Sequence, residues 1–87
     1  MRENFETWRA IGVALAKKRK SLGMTQTELA NKLRKSRSYV SACEKGRRRI
    51  GALEFIMIAD AFNMSPKALM TLIRRAMKTV STIEHSN

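Results

Sequence analysis

The sequence is short of what most enzymes and secreted proteins depend on. Among its 87 residues there is one cysteine, Cys43, one histidine, His85, and one proline, Pro66. A single thiol forms no internal disulfide, which fits a reducing, cytosolic compartment. A lone histidine builds neither a zinc site nor a Ser/His/Asp arrangement, so no metal is expected. The seven Asp and Glu are scattered, with no pair spaced for acid–base work. The four glycines form no phosphate-cradling loop, so no cofactor is expected. No apolar run approaches the ~20 residues of a membrane span; "IGVALA" runs directly into "KKRK". The first ten residues, "MRENFETWRA", lack the basic-then-apolar order of a signal peptide. These absences argue against an enzyme and for a protein kept in the cytoplasm, associated with the nucleoid if its partner is DNA.

What the chain has in excess is positive charge. Eighteen Lys and Arg against seven acids give a formal net charge of +11. Folding needs no such surplus, and its natural partners are polyanions. The length suits one domain with one modest core. No repeat, low-complexity linker or Gly/Ser spacer divides it, so residues 1–80 read as a single domain with an extended C-terminal helix and 81–87 as a loose tail. No separate small-molecule domain is expected.

Periods of three and four dominate, and turn signals mark five helices, an all-α chain. The first spans about Asn4 to Leu22, with Phe5, Trp8, Ile11, Gly12, Leu15 and Arg19 at helical spacing and Gly23 as its left-handed stop. The second opens on Thr25 with Glu28 three residues on, a capping box. It buries Leu29, Ala30 and Leu33. The third runs from Ser36 to Gly46. The fourth follows Gly51 to about Phe62, with Leu53, Phe55, Ile56, Ile58 and Ala59 as its buried set and Asn63 closing it. The fifth starts at Ser65 and Pro66. Cys43 and most of the six methionines read as core filling.

On a helical wheel, Arg37, Ser38, Ser41, Ala42 and Lys45 share one arc of the third helix, opposite Val40 and Cys43. An outward face of small residues with Arg and Ser at its first turn can lie close to a groove, where arginine pairs with guanine through two hydrogen bonds. Only "RK" and a cap join it to the second helix, with Ala30 small enough to lie beneath it. This spacing reads as a helix-turn-helix unit.

The segments "IGVALAKKRKSLGMTQTELANKL", "SRSYVSACEKG" and "ALEFIMIADAFNMSP" resemble the Cro/phage-repressor, XRE-type (lambda-repressor-like) helix-turn-helix family over residues 11 to about 70. The resemblance implies a five-helix fold and sequence-specific binding to double-stranded DNA. It implies that Arg37, Ser38, Ser41 and Ala42 face the major groove. Gln26 would contact phosphate and brace Arg37. Tyr39, Lys45, Arg47, Arg48 and Arg49 would lie along the phosphates. In the family the acid matching Glu44 pairs with a first-helix arginine, here Arg19. The chain departs from the family at Arg34, where the interhelical turn usually carries glycine, and at Lys35 and Lys18, where apolar residues are common.

The family's bundle is largely complete near Leu72. The stripe Leu69, Leu72, Ile73, Ala76 and Val80, with Met77 at its edge, is therefore expected to meet a second subunit. The expected function is that of a small homodimeric regulator from a bacterium or phage, a repressor at an inverted-repeat operator, with a protein partner as one route of control. An antitoxin or a restriction-modification controller would share these marks. In a different class stand an RNA-binding or protein-interaction module and a basic amphipathic helix lying on a membrane.

Overall fold

A computed structural model describes residues 4–85 of the chain, with side-chain surroundings to Lys78. The elements are α1 (Phe5–Ser21), α2 (Gln26–Leu33), α3 (Arg37–Glu44), α4 (Ala52–Ala61) and α5 (Pro66–His85). No strand occurs among the described residues.

Local chemistry sets the helix starts. Asn4 Oδ1 accepts from Thr7 N at 2.9 Å. Thr25 Oγ1 accepts from Glu28 N at 3.0 Å, while Glu28 Oε1 accepts from Thr25 N at 2.9 Å. These bonds from Thr25 favour the charged carboxylate and lower the Glu28 pKa. Ser36 Oγ accepts from Tyr39 N at 3.1 Å and Ser65 Oγ from Ala68 N at 3.1 Å. Each bond satisfies an amide that the first helical turn would leave unpaired.

Helix ends use one device. After α2, Arg34 N donates to Asn31 O and Lys35 N to Ala30 O, with Arg34 left-handed at φ 56°. After α3, Gly46 N donates to Cys43 O and Arg47 N to Ala42 O, with Gly46 at φ 75°. This pair of bonds is the Schellman stop. The left-handed geometry required of Arg34 in the interhelical turn is therefore present.

The core gathers Ile11 and Leu15 of α1, Leu29, Ala30 and Leu33 of α2, Val40 of α3, Ile58, Ala59 and Phe62 from α4 and its end, and Leu69 and Ile73 of α5. Gly12 brings α1 against the end of α3: a β-carbon there would sit 2.5 Å from the carbonyl oxygens of Cys43 and Glu44.

Three expectations need correction. Leu69 is fully buried and Ile73 only 7% exposed within the chain's own core, so neither is available to a second subunit. Leu72, Ala76 and Met77 are half-buried, and the Val80 side chain lies outside the described residues. Leu53 and Ile56, expected inside, are 64% and 47% exposed, and Phe5 is 57% exposed. The α4 sequence is apolar nearly all round, and the bundle covers only one side of it. Finally, α5 continues to His85, past residue 80 where a tail was expected; no Gly or Pro after Pro66 interrupts it.

Candidate nucleic-acid interface

The candidate interface consists of α3 and the turns at its two ends. Val40 and Cys43 anchor the helix inward, at 2% and 5% exposure, and Ala30 of α2 is buried as well. That anchoring leaves Arg37, Ser38 and Lys45 exposed and Ser41 and Ala42 half-exposed on the outer side. Arg47, Arg48 and Arg49 are exposed in the loop that follows. The structure thus presents the five outer residues of α3 together, with a cationic loop at one end.

A chain of polar contacts runs from the core to this face. Arg19, 6% exposed, donates from Nε to Glu44 Oε2 at 2.7 Å and from Nη2 to Glu44 Oε1 at 3.1 Å. Its Nη1 donates to Met24 O at 2.7 Å. Both side chains of the ion pair are more than nine-tenths covered. A buried carboxylate needs such partners, because losing one would leave a charge unpaired in a poorly solvated place. Gln26 Nε2 also donates to Glu44 Oε1, at 2.9 Å. Arg37 Nη1 in turn donates to Gln26 Oε1 at 2.9 Å. The structure therefore brings together Arg19 with Glu44 and Gln26 with Arg37.

Two contacts at the other flank escape a reading of the sequence. Lys35 Nζ lies 5.3 Å from the centre of the Tyr39 ring, and the Arg48 guanidinium 5.0 Å from it. The negative face of an aromatic ring attracts such cations. Lys35 comes from the turn before α3 and Arg48 from the loop after it, so one ring gathers cations from both ends. Tyr39 itself is half-buried. Burial, followed by the neighbouring Cys43, pushes its hydroxyl pKa up to about 12. Burial likewise raises the Cys43 thiol, against the opposing influence of Tyr39 and Arg48. A thiol so placed stays protonated and unreactive. The side chain of Tyr39 therefore faces Cys43 as well as its two cations.

Among the described residues no three His, Cys, Asp or Glu gather to hold a metal ion. No helix there is long and apolar enough to cross a membrane.

A short α2, a tight left-handed turn, and an α3 with an outward Arg–Ser–Ser–Ala–Lys face form a helix-turn-helix. The family model for helix-turn-helix proteins matches residues 15–69. The chain belongs to the XRE-type helix-turn-helix family. Its all-α fold is lambda-repressor-like. It is similar to the clp gene regulator ClgR of Corynebacterium glutamicum, at 26% identity and a TM-score of 0.79, over 91% of this chain and 84% of that one. The restriction-modification controller protein C.AhdI of Aeromonas hydrophila is similar at 26% identity and 0.72, over 78% of this chain and 99% of that one. An XRE-family like protein of Pseudomonas syringae pv. tomato str. DC3000 is similar at 30% identity and 0.68, over 79% and 84%. No curated protein sequence matches the chain significantly. At the level of the family, this helix-turn-helix protein is a DNA-binding transcription regulator and not an enzyme.

Proposed function

We propose that this helix-turn-helix chain is a sequence-specific, homodimeric repressor that binds an inverted-repeat operator in the cytoplasm, at the nucleoid. The observation that carries the reading is the outer face of α3, where Arg37 is held at the first turn by Gln26. Arg37, Ser38, Ser41 and Ala42 read base edges in the major groove, and Arg37 recognises a guanine. Gln26, Lys45, Arg47, Arg48 and Arg49 contact phosphates. Tyr39 serves the phosphates through Lys35 and Arg48, the cations on its ring.

One domain of this size covers few base pairs, so affinity and specificity come from two copies about one DNA turn apart, ~34–36 Å. The partner copy covers the exposed Leu53 and Ile56 of α4. The alternative surface, where Leu72 and Ala76 face a groove between α1 and α5, is rimmed by Lys17, Lys18 and Arg75. Two copies of a +11 chain repel there. A second reading within the same class is a restriction-modification controller, favoured by the likeness that spans 99% of the controller C.AhdI.

Selecting bound duplexes from a random pool tests the proposal, and an inverted repeat is the expected product. Arg37→Ala then relaxes discrimination at one base by ~1–3 kcal/mol. Arg48→Ala with Arg49→Ala weakens binding to all duplexes alike and flattens the salt dependence. Recovery of structured RNA in preference to duplex DNA would overturn the assignment. Sedimentation tests the dimer: Ile56→Asp gives a folded monomer, whereas Leu72→Asp leaves the dimer intact. The reverse result moves the interface to the α1/α5 groove.

A further inference from the structure

We infer that the groove between α1 and α5 is a docking site for a helix of a partner protein, one whose apolar stripe is flanked by acidic side chains. The inference goes beyond the proposed regulator. It takes from that reading only the placement of the dimer on α4, which leaves this groove open.

The groove follows from two helix faces. On α1, Ala14, Lys17, Lys18 and Ser21 recur at the three- and four-residue spacing of one side of a helix. On α5, Ala68, Thr71, Leu72, Arg75 and Ala76 do the same. The two faces border an open volume of about 590 Å³. At 1.5 Å per residue each face runs about 10–12 Å, roughly two helical turns. Alanines on both sides keep the groove wide, so a third helix can lie low between the pair. Leu72, half-buried on the α5 side, offers apolar surface to that helix's stripe.

The rim selects the occupant. Lys17 and Lys18 stand on the α1 side and Arg75 on the α5 side, and among the described residues no acid lines the groove. An apolar floor between cations complements an apolar stripe between acids. Other occupants fit less well. An open groove covers too little of a small molecule, which needs most of its surface buried. Nucleic acid would engage the cations and leave the apolar floor in water. A membrane surface takes apolar side chains that project, whereas Ala14, Leu72 and Ala76 are half-buried in a concave site. A second copy brings a net charge of +11 to a cationic rim. Its α4, with Glu54 and Asp60, could enter only head to tail, which builds rings or filaments and no two-fold dimer. None of the lining residues belongs to α3 or to the 47–49 loop. The partner and the proposed DNA site therefore use separate surfaces.

The experiment titrates the isotope-labelled full chain at low salt with synthetic peptides of about 15 residues, long enough to hold a helix. One carries a leucine stripe flanked by glutamates, and a second the same stripe flanked by lysines. A third has the composition of the first with the stripe scrambled. The first is expected to bind at least about tenfold more tightly than the other two. It should shift the amide resonances of Ala14, Lys18, Ala68 and Leu72 and not those of Arg37 and Ser41. Leu72→Asp sets a charge of the wrong sign on the floor and is expected to weaken this binding about tenfold or more. Should that variant fail to fold, Lys17→Glu with Lys18→Glu carries the test. Reversing the charge of the α1 rim is expected to weaken the glutamate-flanked peptide and strengthen the lysine-flanked one, and an unchanged preference would overturn the inference. Equal affinity for the first and third peptides, with shifts at Arg37 and Arg48, would overturn it as well, because the chain then merely holds polyanions at its DNA face. Groove resonances that answer to vesicles of equal parts phosphatidylglycerol and phosphatidylcholine, and not to the first peptide, would replace the partner helix with a membrane. Sedimentation keeps the dimer separate: if Leu72→Asp turns a dimer into a folded monomer, a second copy fills the groove, and the inference fails while the DNA reading stands.

Discussion

Helices α2 and α3 stop by the same pair of backbone hydrogen bonds, yet their ends have opposite surroundings. Arg34, at φ 56°, is exposed. Gly46, at φ 75°, lies on α1: a β-carbon there would come within 2.5 Å of Arg9 Cα and 2.6 Å of Arg9 N. Left-handed geometry costs an L-residue roughly 1–2 kcal/mol. An exposed turn tolerates that cost, and an arginine there adds a cation to the surface before α3. A turn against another backbone does not tolerate it, because the steric demand adds to the conformational one. The end of the recognition helix is thus fixed to α1, whereas the turn before it is open to substitution.

The strongest challenge to this contrast is Gly46→Ala. It combines the left-handed cost with overlap on the Arg9 backbone and is expected to lose about 2–5 kcal/mol, read as a fall in the urea midpoint with unchanged slope. Gly23→Ala supplies the control. Gly23 has φ 68° but no atom within 4 Å of its would-be β-carbon, so only the conformational cost of ~1–2 kcal/mol remains. Equal losses at the two glycines would show that α1 gives way at Arg9. Arg34→Gly is expected to act in the opposite direction, raising stability by up to ~1 kcal/mol after allowing for the entropy glycine adds to the unfolded chain. A fall in its thermal midpoint would mean that the arginine side chain contributes more than its backbone strain costs.

The smallest effect is spectroscopic and concerns the enclosed side of α3. Tyr39 is the chain's one tyrosine, so tyrosinate absorbance reports it alone. Its midpoint is expected at about 12, raised by burial and by Cys43. The ordinary value is about 10. Because the folded-state pKa is the higher one, the associated stability is fully present below about pH 10. It is lost as pH rises through the folded-state value. An ordinary midpoint in the folded protein would place the phenol in water.

These helix ends also mark what the sequence makes legible. Local signals have local causes: the Thr25–Glu28 box, the Ser36 and Ser65 caps and the stops at Gly23, Gly46 and Asn63 are all readable from neighbouring residues, and so are the two faces of α3. Burial in α4 is not. Leu53 and Ile56 are as apolar as Ile58, and residue type cannot say which side of an almost wholly apolar helix the bundle covers. The α5 stripe has the same ambiguity, since core and interface use the same side chains; Leu69 and Ile73 belong to the core. The Gln26–Glu44 bond and the two cations on Tyr39 join residues from different elements. Neither spacing nor periodicity encodes such meetings.

The outer side of α3 has a consequence for descent and for engineering. Arg37, Ser38, Ser41, Ala42 and Lys45 face away from the core that Val40 and Cys43 help to fill. Ser38 and Lys45 are exposed, Ser41 and Ala42 are half-exposed, and Arg37 meets the rest of the protein through the Gln26 amide. In the proposed reading of these residues, a new target preference is reachable by a handful of replacements on this face, with position 26 chosen together with position 37. Paralogues of this chain could diverge in what they bind long before they diverge in shape.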